Sequence, residues 1–240
     1  MRRAAIPPLV LVAWMAASGA WAAAPVVVEL FTAQGCASCG KANAFVAGLS
    51  QRPGVIALNW SVDYWDYLGW KDTFAQPEFT DRQRAYDKRF DLRDVYTPQV
   101  IVDGAGQASG DKPADVESLI GAARHPHAPE PRITPRADGT ISVDPPLRAM
   151  VTGRDWDVWL IRYDPREQDV LVKQGDNRGK TIVHRNVVRQ LIRLGGWGGR
   201  RRAVYSVPAP PEAGLETLVL VQAAHGGRII GLRRLAPVAS

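Results

Sequence analysis

The chain has two cysteines, Cys36 and Cys39, and their spacing constrains its fold more than any other feature of the sequence. An apolar run typical of a buried strand, residues 26–31, comes just before them. The segment after them has the spacing of an amphipathic helix, with apolar residues at Ala42, Phe45, Val46 and Leu49. The sequence therefore predicts a strand, a turn that carries a C-x-x-C pair, and a helix.

This placement favours redox chemistry at the pair. A cysteine at a helix N-terminus faces unpaired backbone N–H groups and the positive end of the helix dipole. Both favour the thiolate, which is the reactive form of cysteine. Cysteines three positions apart can also reach the short Cα separation that a disulfide needs. A structural disulfide and the capture of a metal ion stay open as alternatives.

Chain entropy weighs against a mainly structural disulfide. Closing a four-residue loop stabilises a fold by only about 2 kcal/mol, whereas a loop of about a hundred residues gives about 5 kcal/mol. A cross-link selected for stability is expected to join distant segments instead.

Residues 1–22 have the features of a secretory signal peptide. Arg2 and Arg3 precede an apolar segment, residues 6–17, that is too short to span a bilayer. Small residues then suit cleavage near Ala22 to Ala24. We therefore expect a secreted, periplasmic protein without stable membrane insertion after cleavage, in an oxidising compartment where disulfides persist. A retained N-terminal anchor is the alternative.

Charge and histidine content limit the expected partners and cofactors. The formal net charge of +6 is modest and includes the two arginines of the signal segment, so no nucleic-acid partner is expected. The four histidines are His125, His127, His184 and His225. None of them has metal-ligand spacing with the cysteines. We expect no metal site and no organic cofactor. A copper-handling protein would need a distant histidine, such as His184 or His225, beside the thiolates.

Apolar periodicity predicts a two-part chain. Residues 24–124 read as alternating strands and helices in the order β-α-β-α-β-β-α. Residues 125–132 contain three prolines and read as a linker. Residues 133–240 read as a β-rich domain resembling an antiparallel sandwich. One helix is expected there, with an apolar stripe at Val187, Val188, Leu191 and Ile192 and an end at Gly195 and Gly196.

A Thr-Pro pair, Thr97 and Pro98, leads into the third predicted strand. Together with the strand, C-x-x-C pair and helix, it makes residues 24–124 resemble the thioredoxin fold. That resemblance implies that Cys36 is the attacking cysteine, Cys39 the resolving cysteine and Cys36–Cys39 the disulfide. It also implies that Pro98 is cis and lies against the pair, leaving nearby backbone groups free to bind an extended substrate. An ordinary trans turn proline is the alternative.

Two segments narrow the resemblance, ELFTAQGC at residues 29–36 and DYWDYLGWKD at residues 63–72. They resemble a bacterial family of secreted thioredoxin-like proteins catalogued as a domain of unknown function, DUF1223. In the second half the resemblance depends on Asn-Arg-Gly at residues 177–179 and Asn-Val-Val at residues 186–188. It implies a fold and a site but no substrate. The chain departs from the family in Gly40 and Lys41, where prolines are common.

Glu29 is an acid within the first predicted strand, where burial is costly unless the charge is paired. It precedes Cys36 by seven residues, so it is a candidate to relay a proton to or from Cys39. A structural acid with a partner is the alternative.

Aromatic residues with polar tips follow the second predicted strand. We expect a substrate groove beside Cys36 lined by Tyr64, Trp65, Trp70 and Thr97. A loop packed over the end of the sheet is the alternative.

Two further patterns carry less weight. Residues 175–181 look like a phosphate-binding loop, but three residues separate the glycines where that motif requires four. The arginines between residues 185 and 202 are most simply a solvated face.

Thiol–disulfide exchange is the function that the sequence predicts, with protein thiols or disulfides of the envelope as partners. It requires an accessible sulfur and a cis Pro98 near the pair. A non-catalytic binding module with a structural disulfide and a thiophilic-metal protein are the alternatives.

Overall fold

The computed structural model describes residues 25–123, 130–146, 155–209 and 213–236. The predicted signal peptide, residues 1–22, and most of the predicted linker lie outside these ranges. Among the described residues, no helix is both long and apolar enough to span a bilayer.

The first part of the chain has the predicted element order. Its strands are β1 (Val26–Thr32), β2 (Val55–Ser61), β3 (Gln99–Val102) and β4 (Gly106–Ser109). Its helices are α1 (Cys39–Leu49), α2 (Pro77–Phe90) and α3 (Pro113–Ala123), with a short 3₁₀ turn at Asp66–Leu68. Continuous apolar runs in β1 and β2 suit strands covered on both faces, and both strands are buried throughout.

The second part consists of strands. They are β5 (Arg132–Pro135), β6 (Thr140–Asp144), β7 (Trp156–Asp164), β8 (Gln168–Leu171), β9 (Thr181–His184), β10 (Val187–Trp197), β11 (Ala203–Ser206), β12 (Glu216–Ala223) and β13 (Ile229–Leu235).

The helix predicted at residues 187–196 is wrong, because these residues form β10. This strand pairs antiparallel with β7, with register shifts between Val188 and Gln190 and between Arg193 and Gly195. Each shift inserts an extra residue, so the spacing of inward side chains along the strand becomes three instead of two. Apolar residues three apart are what a helix would also present.

One eight-stranded sheet runs through both parts, in the order β13-β12-β7-β10-β2-β1-β3-β4. The first and second parts of the chain meet in this sheet where β10 pairs in parallel with β2, through Val187 and Asn59. The sheet therefore continues across the predicted linker, and the β-rich second part is not a separate sandwich. A three-stranded sheet, β11-β6-β5, packs on the β7–β12 end through Ile141, Val143, Trp156 and Val219.

Helices cover the β1–β2 region on both faces. Val28 and Leu30 pack with Val46 of α1, while Phe31 packs with Phe79 of α2. The turn after β1 thus lies between the two layers of helices, and it carries the cysteine pair.

Strands β8 and β9 pair only with each other. Together with the connecting loop they form residues 168–184, which we call the cover hairpin. It lies alongside α1 and not within the large sheet.

Candidate functional site

The cysteine pair occupies the turn between β1 and α1. Two successive turns shape it, since the Cys36 N–H donates to the Ala33 carbonyl and the Cys39 N–H to the Cys36 carbonyl, both at 3.2 Å. Cys39 is the first residue of α1, and Ser38 precedes it as N-cap. Cys36 and Cys39 are joined in a disulfide with their Cα atoms 5.4 Å apart, which confirms the predicted pairing.

Both cysteines are covered in this conformation. Cys36 is 1% exposed and Cys39 is 0% exposed, so the expectation of an accessible sulfur is wrong here. Ala37 and Ser38, between the cysteines, are exposed. The disulfide therefore belongs to the buried core on the α2 face, and only the two residues between the cysteines reach the surface.

The loop of the cover hairpin is hydrogen-bonded to the backbone of residues 34–36, the segment that ends at Cys36. The side-chain N–H₂ of Asn177 donates to the carbonyl of Gln34 at 2.9 Å and to that of Cys36 at 2.7 Å. Asn177 is only 1% exposed, although it lies in a surface loop. Its contacts link two parts of the chain that are 141 residues apart.

The stem of the cover hairpin packs along α1. Ile182 is in ordinary van der Waals reach of Gly40, 3.7 Å from the position that a Cβ would take there. The Nδ1 of His184 lies 3.5 Å from the side-chain nitrogen of Asn43, and its ring packs edge-on against Phe74. Burial lowers the pKa of His184 to about 4, so the imidazole is neutral at neutral pH.

Residues 63–74, the aromatic loop, hold Gln34 from the other side. Trp70 Nε1 donates to Gln34 Oε1 at 2.9 Å, and Gln34 Nε2 donates to Thr73 Oγ1 at 2.8 Å. The Gln34 N–H donates to Asp72 Oδ2 at 2.7 Å. Burial raises the pKa of Asp72 to about 6, although that N–H and the Phe74 N–H stabilise its carboxylate.

The predicted substrate-binding residues are engaged with other parts of the protein. Trp65 Nε1 donates to Thr97 Oγ1 at 2.7 Å, and the Tyr64 hydroxyl lies 3.2 Å from Gln83 Oε1. Tyr67 is the aromatic that remains open to solvent, at 78% exposure, and it stacks on Trp65. These contacts favour the packed-loop alternative over an open groove in this conformation.

The Thr97–Pro98 peptide bond is cis. Pro98 and α1 meet at Gly110, whose hypothetical Cβ would lie 2.9 Å from Ala42 Cβ and 3.0 Å from Pro98 Cβ. The Gly110 N–H also donates to the Pro98 carbonyl at 2.9 Å. The proline loop therefore lies beside the first turn of the helix that Cys39 begins.

Glu29 is fully buried and paired. Arg82 donates to both of its oxygens, from Nε at 2.7 Å and from Nη2 at 3.1 Å. The Tyr86 hydroxyl donates to the same carboxylate, and Gln222 Nε2 lies 2.9 Å from that hydroxyl. This network favours the structural-acid alternative, and a proton relay to Cys39 stays a prediction.

Some site residues escaped sequence reasoning. Gln34, Asp72 and Asn177 hold the cysteine segment, yet none of them was predicted to do so. The available signal for Asn177 was the Asn-Arg-Gly segment flanked by glycines. Within the described ranges, no group of three or more His, Cys, Asp or Glu side chains is arranged to hold a metal ion.

A protein-family model and two solved structures are similar to this chain. A family model described as "Protein of unknown function (DUF1223)" matches residues 27–222. The crystal structure of protein AGR_C_4864 from Agrobacterium tumefaciens has 30% sequence identity and a TM-score of 0.72, covering 92% of this chain and 98% of that one. HBP35 of Porphyromonas gingivalis has 14% identity and a TM-score of 0.54, covering 90% of this chain and 78% of that one, and this likeness concerns the fold alone. No curated protein matches the chain.

Proposed function

Since the chain belongs to the DUF1223 family, whose function is unknown, we propose from the site itself that the protein exchanges thiols and disulfides through Cys36 and Cys39. The observation that carries this proposal is the position of the disulfide. It closes a four-residue loop at the N-terminus of α1, and the two residues between the cysteines, Ala37 and Ser38, are exposed. Such a loop adds only about 2 kcal/mol of stability, and a helix N-terminus favours the thiolate.

The fold that goes with this function is thioredoxin-like. Its support is the order β1-α1-β2-α2-β3-β4-α3, with the cysteine pair opening α1. The cis Thr97–Pro98 bond precedes β3, as the sequence resemblance implies.

The exchange step starts from the joined pair. A thiolate of a partner dithiol attacks Cys36 Sγ, the Cys36–Cys39 bond breaks, and Cys39 leaves as a thiolate that takes up a proton. The second partner thiol loses its proton and attacks the partner sulfur of the mixed disulfide, which releases Cys36 as a thiolate that is then protonated. The partner becomes a disulfide, and the pair has gained two electrons and two protons.

The same steps in reverse reduce a partner disulfide. Cys36 attacks one partner sulfur, and Cys39 then attacks Cys36 to release the partner as a dithiol. Either direction requires Cys36, which is 1% exposed in this conformation, to become accessible. The partners are protein thiols or disulfides, met after export to the periplasm, and no cofactor takes part.

A binding module with a structural disulfide is the second candidate. The burial of both cysteines favours it, because a sealed disulfide exchanges slowly whatever its chemistry. Under this alternative the cysteines stabilise the turn and another surface binds the partner.

A trapping experiment separates the two candidates. The reduced Cys39→Ala variant is mixed with a peptide that contains one disulfide, without denaturant, and the product is analysed by mass spectrometry. We expect a stable mixed disulfide at Cys36. Cys36→Ala is the matched control, and little adduct is expected because the proposed exchange assigns the attack on the partner to Cys36. An adduct that forms at Cys36 only after denaturation contradicts the proposed exchange and supports the binding module.

A further inference from the structure

The segment Asn-Arg-Gly at residues 177–179 has no role in the exchange steps above, yet its first residue is buried at the site. Asp176 and Arg178, the neighbours of Asn177 in sequence, are exposed, whereas Asn177 points into the protein. A buried polar side chain in a surface loop is costly unless its hydrogen bonds are made. The hydrogen bonds of Asn177 therefore account for the burial of its polar side chain.

The carboxamide of Asn177 is fully engaged. Its nitrogen donates to the carbonyls of Gln34 and Cys36, which lie on either side of Gly35. Its oxygen accepts from Lys180 Nζ at 3.2 Å. One side chain thus ties the loop of the cover hairpin to the backbone that carries Cys36.

We propose that Asn177 is a positioning residue that latches the loop of the cover hairpin onto the backbone of residues 34–36 and so limits access to Cys36. As a control on exchange with a partner, this inference rests on the proposed function. As a statement about access to the disulfide, it is tested without any partner.

In the proposed opening, the loop of the cover hairpin moves away from residues 34–36 while the stem keeps its place on α1. The stem stays attached to α1 through Ile182 and His184, which lie beyond the loop. The loop turns at Gly175 and Gly179, which have φ values of 74° and 78°. At its tip, Gly175 approaches Leu68 of the 3₁₀ turn, where a Cβ would lie 3.6 Å away from Leu68 Cβ. Asn177 is therefore the polar anchor of a short loop between two glycine turns.

The test measures how fast dithiothreitol reduces the oxidised full-length protein under native conditions. Its thiolate attacks Cys36 Sγ and expels Cys39, and its second thiol then closes the cyclic disulfide of dithiothreitol and frees Cys36. Asn177→Asp keeps the size of the side chain but removes both donors, and Asn177→Ala removes the whole carboxamide. We expect both variants to be reduced roughly tenfold faster or more, because two hydrogen bonds that hold the loop closed are lost.

Matched controls come from the same loop. Arg178→Ala changes the exposed neighbour, and Lys180→Met removes the contact to the carboxamide oxygen while both donors remain. We expect their rates to stay within about twofold of the unaltered protein. A folded Asn177→Ala variant with an unchanged rate overturns the latch.

The dependence of the rate on denaturant distinguishes a latch from general stabilisation. Local opening of a loop exposes little surface, so the rate of reduction should rise only weakly with urea in the Asn177 variants. A rate that follows global unfolding in every variant shows that Asn177 only stabilises the fold, which also overturns the latch. The proposed function fails separately if Cys39→Ala combined with Asn177→Ala gives no mixed disulfide with the peptide.

Discussion

At the scale of single residues, burial decides the acid–base behaviour of the site. His184 lies against Asn43 and Phe74, and desolvation by burial lowers its pKa to about 4. Asp72 has a pKa of about 6 for the same physical reason, with the opposite sign. Acidification therefore lowers the free energy of unfolding through His184 and raises it through Asp72.

The His184 side chain should make the protein sensitive to acid. Its pKa is about 4 in the folded protein and near 6.5 when unfolded, so below pH 6.5 the unfolded chain binds a proton that the folded chain does not. The contribution of His184 to the free energy of unfolding is expected to fall by up to about 3 kcal/mol between pH 6.5 and 4. Urea titrations over that range compare the unaltered protein with His184→Asn, which should lose this slope. Parallel pH profiles for the two proteins would show that His184 does not titrate as described.

Glu29 and Arg82 allow a test of the structural-acid interpretation. Arg82→Met leaves the Glu29 carboxylate buried without its ion pair, and we expect a loss of about 3–5 kcal/mol in the free energy of unfolding. Arg84→Ala on the same helix breaks an exposed pair with Asp81 and should change little. Glu29→Gln should leave the pH profile of exchange unaltered. A Glu29→Gln variant whose exchange profile shifts would instead support the proton relay.

At the scale of elements, the contact between α1 and the proline loop is tight while the contact between α1 and the cover hairpin is not. A Cβ at Gly110 would lie within about 3 Å of Ala42 and Pro98, whereas a Cβ at Gly40 has 3.7 Å to Ile182. A substitution at Gly110 therefore tests the contact of α1 with the proline loop, and one at Gly40 tests its contact with the cover hairpin.

Gly110→Ala should cost about 1–3 kcal/mol of stability, because the new methyl group forces the proline loop away from α1. Gly40→Ala should be neutral or stabilise by about 0.5 kcal/mol, since alanine suits a helix better and the methyl group fits. Denaturant titrations of both variants measure this difference. Equal destabilisation by both substitutions would contradict the described packing.

Elements with local signals were predictable from the sequence, and elements defined by distant contacts were not. The cysteine pair at the start of α1 follows from the apolar runs on either side of it. Strand β10 has the local sequence pattern of a helix because two register shifts spread its inward side chains three apart. The latch on Gln34 and Cys36 joins residues 141 or more positions apart, and no local pattern around Asn177 specifies that partner.

At the scale of the whole molecule, the shared sheet makes the two predicted parts depend on each other. Strand β2 pairs with β10, and the core on the α2 face includes Ile161, Tyr163, Val188 and Leu220 of the second part. Separation would expose this face and an edge of the sheet.

Residues 24–124 alone are therefore expected not to form a stable monomer. Removal of the second part exposes β2 as an edge strand and uncovers apolar side chains of the shared core, such as Trp60 and Phe31. Circular dichroism with urea titration, and the apparent size in solution, compare this fragment with the full chain. A cooperative unfolding transition from a monomeric fragment would show that the first part is an independent domain.

The claim on which the functional account depends is that Cys36 and Cys39 form a reversible couple within the folded protein. A redox titration tests it most directly, with the full chain equilibrated without denaturant against buffers of reduced and oxidised dithiothreitol or glutathione. We expect the same midpoint from both directions, above about −300 mV, with the fold retained in both forms and a stability difference of only about 2 kcal/mol. A pair that is reduced only when the protein unfolds, or with a midpoint well below that value, would contradict exchange and leave a structural disulfide.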